Sequence, residues 1–232
     1  VYDTLPDQYR QIDVLDMSGK FVIPGTCDIH VHASQASFQG IGQNIENGQW
    51  NTWFDRYAFP DESRFNDITY AEQTYTRFAR SLLATPTTRL CAYATTSRAA
   101  TEILMKVLAK YGFAGYVGKV NMDRNSSPGL LETTQETITQ TRLWLEETKN
   151  GIGAIYPILT PRYFPSCTES CLQQLGQLAA EYHVPVQSHL SEGLDEIDWV
   201  RKLAPDLDYY AQAYDRVGLL GPQTQAVMAH CV

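Results

Sequence analysis

Two histidines one residue apart close an apolar run, Asp28-Ile29-His30-Val31-His32. Side chains alternate along a strand with period two, so both imidazoles share a face and reach one cation. Imidazole nitrogen suits zinc and related transition metals. The chain has five histidines, and two others also end strand-like runs: His189 after Val184-Pro185-Val186-Gln187-Ser188, and His230 after Ala226-Val227-Met228-Ala229. The plainer reading of His30 and His32 is a pair of half-buried strand residues bonded to backbone, and His189 or His230 taken alone is more often a satisfied structural histidine. Four of them at strand ends favour a metal centre of the kind that sits at the mouth of a (β/α) barrel. His183, between a helix and the fifth strand, falls at the opposite end and is expected to have no functional role. Asp28 shares the face of the histidine pair but lies deeper, where support is likelier chemistry than ligation. Cys27 and Cys231 read as packing thiols.

The elements that would position these groups follow a strand–helix rhythm. Strand-like runs cover 26–31, 87–94, 113–120, 154–159, 184–189 and 225–230. Apolar spacing places helices over 70–83, 101–111, 134–149, 170–182 and 196–203, the last ended by Pro205. Thr133 or Thr134 caps the third helix and Gly151 lies just beyond its end. Strands alternating with helices make an α/β fold with a parallel sheet. A closed TIM-like barrel needs eight strands and about 250 residues. Residues 25–232 are therefore expected to be an incomplete barrel of about six of eight βα units, truncated at its C-terminal side. Residues 1–24 read separately, as a β-hairpin turning at Ser18-Gly19 and belonging to a small β domain. The segment 33–68 is long for a βα loop and holds Trp50, Trp53, Phe54, Tyr57 and Phe59, so it is expected to cover an active site.

Bulk composition narrows the class. With 232 residues, 44% hydrophobic and 19% charged, the chain is long and apolar enough for a real core rather than disorder. A net charge of -8 argues against nucleic acid as a partner. No apolar run reaches the ~18–20 residues of a membrane span. The five cysteines form no CxxC pair, and reduced thiols in a cytoplasmic protein are the natural expectation.

Pro24-Gly25-Thr26-Cys27-Asp28-Ile29-His30-Val31-His32 resembles the first-strand signature of the amidohydrolase superfamily. Further runs resemble its guanine deaminase family: Ala33 to Phe38, Trp53 through Phe59-Pro60-Asp61-Glu62-Ser63-Arg64-Phe65, Gly118-Lys119-Val120-Asn121-Met122-Asp123, Thr160-Pro161-Arg162-Tyr163, Gln187-Ser188-His189-Leu190-Ser191-Glu192 and Met228-Ala229-His230-Cys231. The resemblance implies a hydrolase that binds one Zn2+ per subunit and converts guanine to xanthine and ammonia. It implies His30, His32, His189 and His230 as metal ligands, with an aspartate from an eighth strand lying beyond this chain, so the 232-residue chain alone is expected to be inactive. It implies Glu192 as the catalytic acid/base; from position alone, a glutamate opening a helix is as readily a dipole-stabilising residue. It implies contacts to the base from His32, Gln35, Arg162, Tyr163 and His189. From the residues alone, Gln35 reads as a loop hydrogen-bonder and Tyr163 as core packing, and Arg162 could be a surface ion pair. The alternatives are an aminohydrolase acting on another heterocycle, such as a pterin, cytosine or triazine, and an inactive metal-binding fragment. A bridging, carboxylated Lys119 is disfavoured. A homodimer is the expected assembly.

Overall fold

A computed structural model describes residues 4–9, 12–42 and 50–232. Six parallel strands carry the architecture: β1 (Thr26–His32), β2 (Thr87–Tyr93), β3 (Ala114–Gly118), β4 (Ala154–Pro157), β5 (Val186–Leu190) and β6 (Ala226–His230). The first four pair in chain order, with His32 opposite Tyr93, Ala92 opposite Val117, and Val117 opposite Pro157. β5 pairs with β6, Leu190 lying opposite His230. The two halves are joined past the ends of β3 and β4. There Val120–Asn121 pairs with Thr160–Pro161, and parallel bridges link Leu159 to Val186 and Tyr163 to His189. The result is one six-stranded parallel arc with the C-terminal strand ends gathered on one side, as expected of an incomplete barrel.

Helices α1 (Ile68–Leu82), α2 (Arg98–Lys110), α3 (Thr134–Thr148), α4 (Glu169–Tyr182) and α5 (Leu194–Leu203) cover the outside of the arc. The starts of α1 to α4 are set by polar side chains that satisfy otherwise orphaned amides. Asp67 accepts from Thr69 and Tyr70, Ser97 from Ala100, and Thr168 from Cys171. Thr133 and Glu136 form a reciprocal capping box. The caps start α1, α2 and α4 up to three residues earlier than the apolar spacing predicts, and α5 starts two residues early behind Gly193, without a side-chain cap. α4 ends at His183 in the left-handed conformation, φ 52°, so His183 is a helix terminator at the far end from the histidine cluster. The core is the layer between sheet and helices, where Leu90, Leu104, Leu108, Val117, Trp144, Leu145, Ile155, Leu172 and Leu175 are buried.

The expected N-terminal hairpin does not form as strands among the described residues. The turn is present, with Lys20 N–H donating to Met17 O, but its flanks form no strand ladder with any described residue. Leu15, Phe21 and Val22 are 81%, 98% and 79% exposed, and a lone two-stranded ribbon without a covered apolar face has little to hold it. The segment 33–68 does fold over the strand ends, as a series of short helical turns including Phe54–Ala58 and Phe59–Glu62. Residues 43–49 of that segment, and 1–3, 10 and 11 before it, lie outside the described residues.

Candidate active site

The arc delivers four histidines to one point. His30 and His32 come from β1, His189 from β5 and His230 from β6. The His30 ring lies edge-on to those of His32, His189 and His230, at centroid separations of 5.2, 4.8 and 5.1 Å. One nitrogen each from His30, His189 and His230 falls within a sphere of mutual separation 4.8 Å. Nε2 of His32 is 3.0 Å from Nε2 of His189. The two nitrogens are close enough together that both could bond one cation.

The protonation states suit a cation. Burial, reinforced by the neighbouring His230, pulls the His30 pKa down to about 4. Burial and the other imidazoles hold His32 and His189 well below the ordinary histidine range, and burial lowers His230. All four rings are therefore neutral at pH 7 and offer lone pairs, the form a metal requires. Nδ1 of His189 lies 2.5 Å from the carbonyl oxygen of Arg162. That contact holds the proton on Nδ1 and leaves Nε2 free to ligate. Nδ1 of His30 and of His32 are buried with no hydrogen-bond partner among the described residues, a cost that a bound ion would offset. The residues present thus fit a metal ion. Backbone at the β6 mouth is unusual too, since His230 has φ 75°. A non-glycine residue held there costs about 1–3 kcal/mol, and such residues cluster at functional sites. Asp28 supports the cluster as expected, its Oδ1 accepting the His30 amide at 3.2 Å.

A cavity of about 160 Å³ opens on the cluster, lined by the four histidines together with Gln35, Trp53, Phe54, Arg162, Tyr163 and Glu192. Every residue singled out from sequence for ligation, catalysis or substrate contact meets here. Glu192 follows β5, with Oε1 3.6 Å from Nε2 of His230, and burial raises its carboxyl above the usual range. Its amide donates to Glu196 Oε2 at 2.8 Å, and Glu196 accepts from Tyr210 at 2.6 Å, so the loop carrying Glu192 is pinned.

Arg162 is not a surface residue. Its side chain is 3% exposed and donates to Glu62, itself 1% exposed, at 2.6 and 3.3 Å. Burial works against the guanidinium charge and the Glu62 carboxylate more than offsets it, so Arg162 stays ionised. The rings of Phe54 and Phe59 each lie 5.3 Å from its guanidinium carbon. Gln35 also donates to Glu62, at 2.9 Å. Glu62 is a site residue that sequence reasoning missed. It sits inside the Phe59-Pro60-Asp61-Glu62 run that carries the family resemblance, and that is the one signal that pointed to it. Tyr93 was missed as well: its ring stacks on His32 at 4.5 Å, brought there by the β1–β2 register.

Two expectations need correction or confirmation away from the cluster. Cys27 and Cys231 are exposed rather than packed: Cys27 points off the strand face that His30 and His32 use, and Cys231 lies just past β6 in the left-handed conformation, φ 59°. Lys119 lies buried outside the cluster, bonded to Glu132 at 2.8 Å, which leaves it no bridging role.

The amidohydrolase family model matches residues 21–232. The guanine deaminase of Dictyostelium discoideum is 40% identical over 224 residues, which are 96% of this chain and 49% of that protein. The guanine deaminase of Homo sapiens is 38% identical over 225 residues, 96% of this chain and 48% of that protein. A crystal structure of guanine deaminase from C. acetobutylicum, with guanine bound in its active site, matches with a TM-score of 0.93 at 39% identity over 98% of this chain and 54% of that one. The chain spans about half the length of the curated relatives it matches. Fold, histidine cluster and matched residues together establish that the chain belongs to the amidohydrolase family.

Proposed function

We propose that the protein bearing this chain hydrolyses guanine to xanthine and ammonia at a single zinc site. The observation that carries the reading is one cavity shared by four imidazoles, a largely buried glutamate, and a Gln–Arg pair fixed by a common carboxylate. The kinship with proteins named guanine deaminase supports the choice of base. His30, His32, His189 and His230 would hold the ion. Such an ion, when bound, activates water for attack at neutral pH.

The chain's own residues account for the rest. The reaction forms a C2–O bond and breaks the C2–N bond to the exocyclic amine, which is a poor leaving group until protonated. Glu192 stands at the cluster with a pKa raised by burial, so it retains a proton further toward neutrality than an ordinary glutamate. It protonates the ring nitrogen beside C2, regains a proton from the water-derived oxygen now bonded to C2, and passes that proton to the departing amine. Arg162 supplies fixed N–H donors for the carbonyl O6. Gln35 reads the neighbouring amide-like edge. Phe54, Trp53 and Tyr163 form apolar walls for a flat ring. A cytoplasmic homodimer goes with this reading, as does a small β domain of the full-length protein in which residues 1–24, not paired as strands among the described residues, take part. No helix among the described residues is long and apolar enough to cross a membrane.

The test is ammonia and xanthine release from guanine by the full-length protein, with zinc measured on the same sample. About one zinc per chain and guanine turnover are expected. A zinc-loaded protein that ignores guanine but deaminates a pterin, cytosine or triazine would refute the assignment of Gln35 and Arg162 to guanine.

A further inference from the structure

We propose that Glu62 is a specificity-determining positioning residue. It sets the donor–acceptor pattern that Gln35 and Arg162 present to the ring, so that the cavity reads an edge with N–H beside C=O and rejects one with bare N beside C–NH2. The inference rests on the proposed guanine reading and deepens it.

The geometry points one way. Glu62 ends the Phe59–Glu62 turn and is buried. Its Oε2 accepts from Nη1 of Arg162 at 2.6 Å, while its Oε1 accepts both Nη2 of Arg162 at 3.3 Å and Nε2 of Gln35 at 2.9 Å. Gln35 and Arg162 line the cavity and Glu62 stands behind them. A carboxylate opposite a guanidinium is ionised and only accepts. Gln35 therefore has to turn its amide nitrogen to Glu62, which leaves the amide oxygen to accept from a ligand. Arg162, clamped by the same carboxylate and by Phe54 and Phe59, can only donate. An acceptor beside a donor complements N1–H beside O6 of guanine.

The neighbouring residues hold this pattern in place. Asp61 accepts from Ser37 at 2.5 Å, Arg64 at 2.9 Å and Tyr70 at 3.0 Å, tying the turn that bears Glu62 to the segment that bears Gln35 and to α1. 2,6-Diaminopurine carries the same 2-amino leaving group as guanine, but at position 1 it offers a lone pair and at position 6 an amine. Its lone pair would face the Gln35 oxygen and its amine the Arg162 donors, leaving polar groups unpaired out of water. That mismatch is the kind that discriminates strongly. Its hydrolysis would break the same C2–N bond and form the same C2–O bond, releasing ammonia.

A glutamine at position 62 can present either oxygen or nitrogen, so Gln35 can then rotate. In the full-length protein, Glu62→Gln is expected to lower kcat/KM for guanine about 10²-fold, mainly through KM, while the preference for guanine over 2,6-diaminopurine narrows at least about 10-fold. Glu62→Asp, which keeps the carboxylate, is expected to retain the preference. Equal losses on both substrates, or an unchanged preference, would overturn the proposal. A measurement on the unmodified protein stands whether or not the variants fold. Hypoxanthine, with N–H beside C=O, is expected to inhibit at least about 10-fold more tightly than adenine, and equal inhibition overturns the proposal. An unmodified protein without guanine turnover defeats the functional reading and this inference together. Guanine turnover with the wrong selectivity defeats this inference alone.

Discussion

Removing one partner of the buried Arg162–Glu62 pair is expected to cost far more than removing both. The two side chains are 3% and 1% exposed and share two hydrogen bonds. Arg162→Met strands a carboxylate in the core, and Glu62→Met strands a guanidinium; breaking a buried pair from one side costs about 3–5 kcal/mol. Glu62→Met also strips the acceptor from Gln35, but Gln35 borders the cavity, where water replaces the lost bond for about 1 kcal/mol or less. The double Met variant abolishes both desolvation costs and keeps apolar volume between Phe54 and Phe59, so it is expected within about 2 kcal/mol of the parent. The coupling energy then comes to at least about 4 kcal/mol. In a thermal melt of the intact protein each single variant drops Tm by about 6–20 °C, and the double recovers most of the loss. Denaturant titration of all four proteins closes the cycle. A double variant that loses the sum of the singles to within about 0.5 kcal/mol would refute the coupling and, with it, the view that Glu62 exists to hold Arg162.

His189→Ala is expected to abolish stoichiometric metal binding measured by elemental analysis, since it deletes the ring oriented by the Arg162 carbonyl; full retention of the metal would remove His189 from the ligand set. Lys119 is fully buried and its pKa is lowered by burial, with Glu132 pulling the other way. Between that lowered value and 10.5 the unfolded chain binds the extra proton, so stability rises with pH across this window and declines as pH falls through the folded pKa. Lys119→Met is expected to flatten that alkaline rise at a neutral-pH cost under about 1.5 kcal/mol, whereas Glu132→Gln, which leaves a buried ammonium unpaired, costs about 3 kcal/mol; denaturation at pH 7 and pH 10 tests both. Gly176→Ala in α4 would place a Cβ 1.8 Å from the carbonyl oxygen of Val217. The gain of about 1 kcal/mol in helix propensity is outweighed, and a net loss of about 2 kcal/mol in denaturant unfolding is expected.

What the sequence discloses and what it hides divide along the range of the interaction. The six strands are legible because buried parallel strands read as short apolar runs, and His30 and His32 because period two is a local property. Helix starts at Asp67, Ser97 and Thr168 are legible only as caps, since polar residues interrupt the very pattern used to find a helix. The partnership of Glu62 with Arg162 joins residues 100 apart, and no spacing rule reaches across that interval. Tyr93 beneath His32 depends likewise on strand register. The most consequential hidden feature is that Arg162 serves both halves of the site through different atoms. Its carbonyl orients the His189 ring, while its guanidinium, set by Glu62, faces the cavity. The carbonyl role is open to any residue that keeps the backbone path, and the guanidinium role only to arginine. The metal site and the recognition site are therefore mechanically joined at position 162 yet chemically separable there. That separation accounts for an arginine buried at the expense of a second buried charge, where an apolar residue would have held His189 equally well.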